Sequence, residues 1–206
     1  MIAWKFLAPG RIGMFSGYAW PEAGVWVDAH AAPSTCGAGV HACHEKDLPM
    51  WLGAELWAID LGGRIVADGD KVVAQRGKLL HRVDAWNAGS AGDFALACVM
   101  RARDRALWLL RSERLGDLAE PLYEAFSARA VAEVSGDIES MAPLPARTAA
   151  GYAADAAELA LEGATAGVAY VAAHVAAYVN GEDARAEERA WQADWLVERL
   201  SLAETD

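Results

Sequence analysis

Lysine is absent from this chain after Lys78, cysteine occurs only three times in 206 residues, and no apolar run has the length and character of a membrane span. Each shortage excludes something. Three cysteines cannot all pair, and thiols stay reduced in a reducing compartment, so no disulfide framework is implied. The longest membrane-like stretch without a formal charge, Gly163 to Gly181, is mostly alanine and glycine and contains Thr165, His174 and Asn180. It falls short of a spanning helix and reads as a buried one. The opening residues, MIAWKFLAPG, lack the basic start, apolar run and small-residue cleavage site of a secretory signal, so the expected location is cytoplasmic, with no membrane partner. There is no phosphate loop, nucleophile elbow, complete metal signature or internal repeat.

The loss of lysine accompanies a charge asymmetry. Residues 1–90 carry eight Lys/Arg against nine Asp/Glu, whereas residues 91–206 carry ten against twenty, within a net charge of −11. So acidic a half repels a phosphate backbone, which excludes nucleic acid as the expected partner; its simplest effect is to keep that half soluble.

What is present is ordinary globular material, 54% hydrophobic and 23% charged, with many alanines. A chain of this length buries about two-thirds of its unfolded surface and folds without staples. Its first 90 residues read as strands. Ile2 to Leu7 alternates, with Trp4 and Phe6 on one face, and Val25 to Val27 and Val40 to Cys43 follow. Glu55 to Leu61 comes next, with a hairpin at Gly62-Gly63 leading to Arg64 to Ala67. Lys71 to Arg76 and Lys78 to Trp86 complete a mostly antiparallel sheet. Between the strands, Asp47 and Pro49 mark the start of a short helical turn. From Gly92 the period changes to threes and fours, predicting helices from Asp93 to Gly116, over 117–134, and near 146–162, 164–179 and 182–202. The expected fold class is therefore α+β, a β-rich region over 1–90 followed by an Ala-rich layer of four to five helices over 91–206, together forming one domain or two.

Chemistry concentrates between Pro33 and Trp57. Strand alternation places His41 and Cys43 on one face and His44 on the other, with Cys36 in the preceding turn. Cys36, His41 and Cys43 form a candidate zinc set, although their spacing matches no standard signature and no metal is expected. Without a metal, His41 is a candidate acid/base, and Cys43 or Cys36 a candidate nucleophile. The competing reading is a core thiol and a satisfied histidine. His81 is placed on the apolar strand face with Leu79, Val83 and Ala85, where it needs a partner. Nine tryptophans are well above ordinary usage. Phe15, Tyr18, Trp20, Trp26, Trp51 and Trp57, around a Gly-rich loop, are candidates for an aromatic ligand pocket. In the last helix, Trp191 and Trp195 are spaced to dock on one face.

Three stretches resemble known families. The segments FLAPGRIG-FSGYAWP, CGAGVHAC, DLPMWL, ELWAIDL and RGKLLHRVDAW, from Phe6 to Trp86, resemble an uncharacterised family of bacterial, largely actinobacterial, proteins, which implies no activity. GVHAC with the following helical turn and strand is similar to the centre of ADP-ribosyltransferase-type folds, where such a strand and helix hold a nicotinamide ring. The first histidine or arginine and the final glutamate of that family's site are not assigned here. From Ala149 through AYVAAHVAAY to ERAWQADWL, the chain resembles proposed bacterial immunity proteins of helical build, which implies a protein partner for the acidic half. Two functions follow as expectations. One is a small-molecule-binding protein or enzyme using His41, Cys43, Cys36 and His81; the other is an interaction module. Cofactor and oligomeric state are unassigned.

Overall fold

The computed structural model describes residues 1–34 and 37–202. It is α+β: an antiparallel five-stranded sheet precedes six α-helices. The chain divides into two compact units, one of residues 1–90 together with the segment from Ala193 onward, the other Ala91–Gln192.

In the first unit, β1 (Ile2–Leu7) pairs with β4 (Glu55–Asp68), and β4 pairs with β5 (Lys71–Arg82). Along its other edge β5 carries β2 (Val27–Asp28) and β3 (Val40–Ala42). The sheet then closes on itself. Just past β3, Cys43 exchanges both main-chain hydrogen bonds with Trp4 of β1, at 2.9 and 2.8 Å. β1, β4, β5 and β3 thus form a ring of four strands, in which none of the four lacks a neighbour on either side. One face of this ring is an apolar cluster: Ala3 and Leu7 of β1, Val40 and Ala42 of β3, Trp57, Ile59 and Leu61 of β4, and Val72, Ala74 and Leu79 of β5. Trp20, from the loop after β1, completes it.

Two register shifts correct the strand reading. Gly62-Gly63 is not a hairpin: β4 runs straight through it, with one extra residue between the pairs Gly62↔Arg76 and Ile65↔Ala74. Gly63 takes φ 74°, which a bulge of this kind requires and a residue with a Cβ resists. The turn comes later, at Gly69-Asp70, with Gly69 at φ 59°. The second shift places one extra residue on β5 between the pairs Ala58↔His81 and Ile59↔Leu79. A single inserted residue exchanges the faces of everything beyond it.

A 3-10 helix, Glu45–Met50, follows β3 with Asp47 in its first turn. The last helix, α6 (Glu182–Leu200), ends in the first unit, where Leu196, Leu200 and Leu202 are buried.

The second unit is helical. The helix expected to begin at Asp93 starts earlier, as α1 (Ala88–Ser112), because Asn87 Oδ1 accepts from the amides of Gly89 and Ser90 at 2.9 and 3.3 Å. The single helix expected over 117–134 is two, α2 (Gly116–Tyr123) and α3 (Ala128–Met141), divided where Ser127 caps the Ala130 amide. α4 (Ala146–Leu161) and α5 (Thr165–Asn180) follow. Among the described residues six α-helices stand where four to five were expected, the difference lying in the division at Ser127 and in the short α2. Alanines 149, 150, 153, 156 and 157 of α4 are fully buried, and their small side chains let α4 pack closely against α3 and α5.

Candidate functional site

A cavity of about 1110 Å³ opens in the first unit, walled by β1, β2, β3 and the two Gly-rich loops before and after β2. Its chemistry begins with one residue of β1. In I-A-W-K-F-L, alternation places Lys5 between Ala3 and Leu7, on the apolar face of the ring, while Trp4 and Phe6 are buried on the other face. A lysine in that position is half-buried, its ammonium ringed by apolar side chains but facing the cavity.

Its partner is explained by the strand pairing. On β3, alternate residues direct their main-chain groups to opposite edges, so His41 shares with Cys43 the edge that faces β1. Cys43 finds Trp4 there. The His41 carbonyl, two residues earlier, accepts instead from Lys5 Nζ at 2.6 Å. The ammonium also lies 5.4 Å from the centre of the Trp20 ring, a cation–π contact. Among the described residues no carboxylate pairs with it. Burial lowers its pKa from the ordinary lysine value to about 8, with the Cys43 thiol acting weakly in the opposite direction. Its side chain is half-buried and borders the cavity, so wall atoms enclose it while leaving open space in front of it.

The aromatic wall is held in place by Glu55. Its carboxylate accepts from the amides of Gly10 at 2.9 Å and Arg11 at 3.3 Å and from Trp57 Nε1 at 3.0 Å, with Arg82 at 3.6 Å. Burial is the largest single influence on Glu55 and raises its pKa, but the three hydrogen bonds and Arg82 together outweigh it and hold the carboxyl below its ordinary range. This anchors the loop where it leaves the sheet. Farther along, Arg11 clamps Glu22 with two hydrogen bonds, of 3.0 and 2.7 Å, and Gly24 donates to the Leu79 carbonyl. The loop thereby presents Phe15, Tyr18, Trp20 and Trp26 to the cavity, and Trp51 completes the wall from beyond the 3-10 helix. Trp51 is oriented by its Nε1 donating to the Asp70 carbonyl at 2.8 Å and meets Phe15 edge-to-face.

No family model matches the chain, and no curated protein or solved structure matches it.

The other residues singled out from the sequence are placed as follows. Trp57 is not part of the wall; it lies in the apolar cluster with its ring nitrogen on Glu55. His41 and Cys43 both line the cavity, and alternation places their side chains on the face of the strand opposite Val40 and Ala42. Cys43 is a buried thiol donating to the Trp4 carbonyl at 3.5 Å. Burial, and then the negative charges of Asp47 and Asp70, push its pKa far up, so the thiolate that a nucleophile needs is disfavoured. Cys36 lies outside the described residues. Among those described, no three His, Cys, Asp or Glu side chains converge as a metal site.

His81 departs from its expected face. The bulge between Ile59 and Ala58 rotates it away from Leu79, and it is exposed, bordering a smaller cavity with Ile2, Ala58 and Leu200–Leu202. His41 and His81 therefore belong to different cavities.

Lys5 was missed in the sequence reading. Its signal was a lone cation inside an otherwise apolar strand, which becomes informative only when both faces of that strand are covered. With Lys71 and Asp28 also on the wall, the formally charged wall residues comprise two cations and one anion. What the arrangement offers is flat apolar contact on several sides and a desolvated ammonium with donors to spare.

Proposed function

We propose that the first unit is a small-molecule-binding module whose ligand is compact, largely apolar and ring-bearing. One observation carries this reading: five aromatic side chains, Phe15, Tyr18, Trp20, Trp26 and Trp51, are gathered by separate segments around a single space of about 1110 Å³. A core would have collapsed that space, since voids larger than a water molecule are few in protein interiors. Instead the wall is braced from behind by Glu55 and Arg11. Phe15 is 84% exposed and, among the described residues, has its one ring contact with Trp51, the position of a ring that would gain cover from a ligand.

Titration with the neutral fluorescent probe N-phenyl-1-naphthylamine tests the proposal. Saturable binding to one site is expected, weakened several-fold in Phe15→Ala, whose exposure makes it safe for folding. Linear, non-saturating fluorescence, or saturation indifferent to Phe15→Ala, would overturn it.

The second reading, an interaction module built from the acidic helices, is supported by the exposure of Glu187 on α6. Its neighbour Glu188 does not serve it. That carboxylate is 1% exposed and accepts from Arg101 Nε at 2.8 Å, so it is an internal brace between α1 and α6.

A further inference from the structure

We infer that the cavity selects an aromatic monoanion, a flat ring system bearing one carboxylate or sulfonate, with the acid group docked on the Lys5 ammonium and the rings held by the aromatic wall. This deepens the binding role proposed above and rests on it.

Lys5 is half-buried on the apolar face of the ring and borders the cavity without a carboxylate partner among the described residues, and an ammonium partly withdrawn from water without a counter-charge is costly. In this protein its main-chain partner, the His41 carbonyl, takes one of three donors, and the Trp20 ring takes part of the charge. Two donors remain. The groups nearest in kind do not neutralise it: Cys43, just past β3, is a thiol whose pKa burial raises, and the sole carboxylate among the described cavity-wall residues, Asp28 on β2, is exposed and makes no ion pair with Lys5. Across the same space stand Tyr18 and His30 from the loops, the His41 side chain from the far face of β3, and a second cation, Lys71, at the start of β5.

A ligand anion supplies what the fold omits. Its oxygens complete the donors of Lys5 in a low-dielectric setting, where a charge-assisted hydrogen bond is strong. A neutral ligand of the same shape fills the space but leaves the cation unpaired. A cationic ligand meets Lys5 and Lys71 and is rejected. Selectivity thus arises from one residue, and affinity from the rings.

The test compares two probes that share a ring system and differ by one acid group: 8-anilinonaphthalene-1-sulfonate and the neutral N-phenyl-1-naphthylamine. The wild-type protein is expected to bind the sulfonate more tightly than the amine. In Lys5→Met, which removes the charge and keeps the length, the sulfonate affinity is expected to fall roughly tenfold or more while the neutral probe changes little. The neutral probe also reports that the variant has kept its cavity. A second measurement needs no variant: raising the pH from about 6 to about 10 should weaken the sulfonate as Lys5 loses its proton, with the neutral probe flat. If the neutral probe binds but the sulfonate binds no better, or if Lys5→Met shifts both probes alike, the inference fails and the binding role stands. If neither probe saturates, both fail.

Discussion

Lys5 couples proton uptake to stability in a direction opposite to most lysines. Its pKa is near 10.5 when unfolded and about 8 when folded. Between those values the unfolded chain binds a proton that the folded chain does not, so this residue makes stability rise with pH across that interval. At neutrality its charged burial costs up to about 3 kcal/mol. Lys5→Met should therefore melt higher than wild type at pH 7, by about 1–2 kcal/mol after allowing for the lost donor to His41, and the advantage should vanish toward about pH 10. Thermal melts of both proteins at the two pH values check this. Glu55 has the opposite sign. Its folded pKa lies below the ordinary 4.5, so its contribution is present above that value and is lost as pH falls through the folded one. Glu55→Ala strands the Gly10 and Arg11 amides and Trp57 Nε1, and should cost about 2–4 kcal/mol at neutral pH in denaturant unfolding, with a smaller difference in acid.

The strands test whether the ring is closed. The Trp4 and Cys43 amides donate to each other's carbonyls across the β1–β3 seam, so in hydrogen exchange both should be protected to the level of the β4–β5 ladder, whereas an open sheet would leave them near free exchange. At the other end of β3, Gly39 has φ 134° and its missing Cβ would collide with Val73 of β5. Gly39→Ala should detach β3 from β5, lower the melting point and release that protection. At this scale the limits of sequence reading are physical. The α+β division was legible because the change in hydrophobic period near residue 90 is long and continuous, whereas nothing in that pattern signals the return of the chain from Ala193 to the first unit. The bulges at Gly63 and in β5 were not, because each is a one-residue offset set by a partner strand distant in sequence. Those offsets decide that Gly62-Gly63 is no turn and that His81 leaves the Leu79 face. Most of the aromatic wall was legible from ring density around a glycine-rich loop. Trp57 was misassigned because it is close to that wall in sequence yet oriented by the pleat of β4. Lys5 stayed hidden because its significance depends on ring closure.

At the scale of the whole molecule, the chain returns from the second unit to the first within α6. α6 spans both: Trp191 lies under the Arg101 guanidinium at 4.1 Å in the second unit, while Trp195 belongs to the first. Leu196 is fully buried in the first unit, and Leu196→Ala should cost about 2–4 kcal/mol, read in the near-ultraviolet dichroism of the β-region tryptophans. Among the described residues no helix is long and apolar enough to cross a membrane. The return of the chain to its starting unit also has a consequence for synthesis. The ring strands are synthesised before the second unit, whereas Leu196, Leu200 and Leu202, buried in the same unit as those strands, are synthesised after it. During that interval the first unit lacks the apolar side chains that complete it, so its folding is finished only after the second unit has been made.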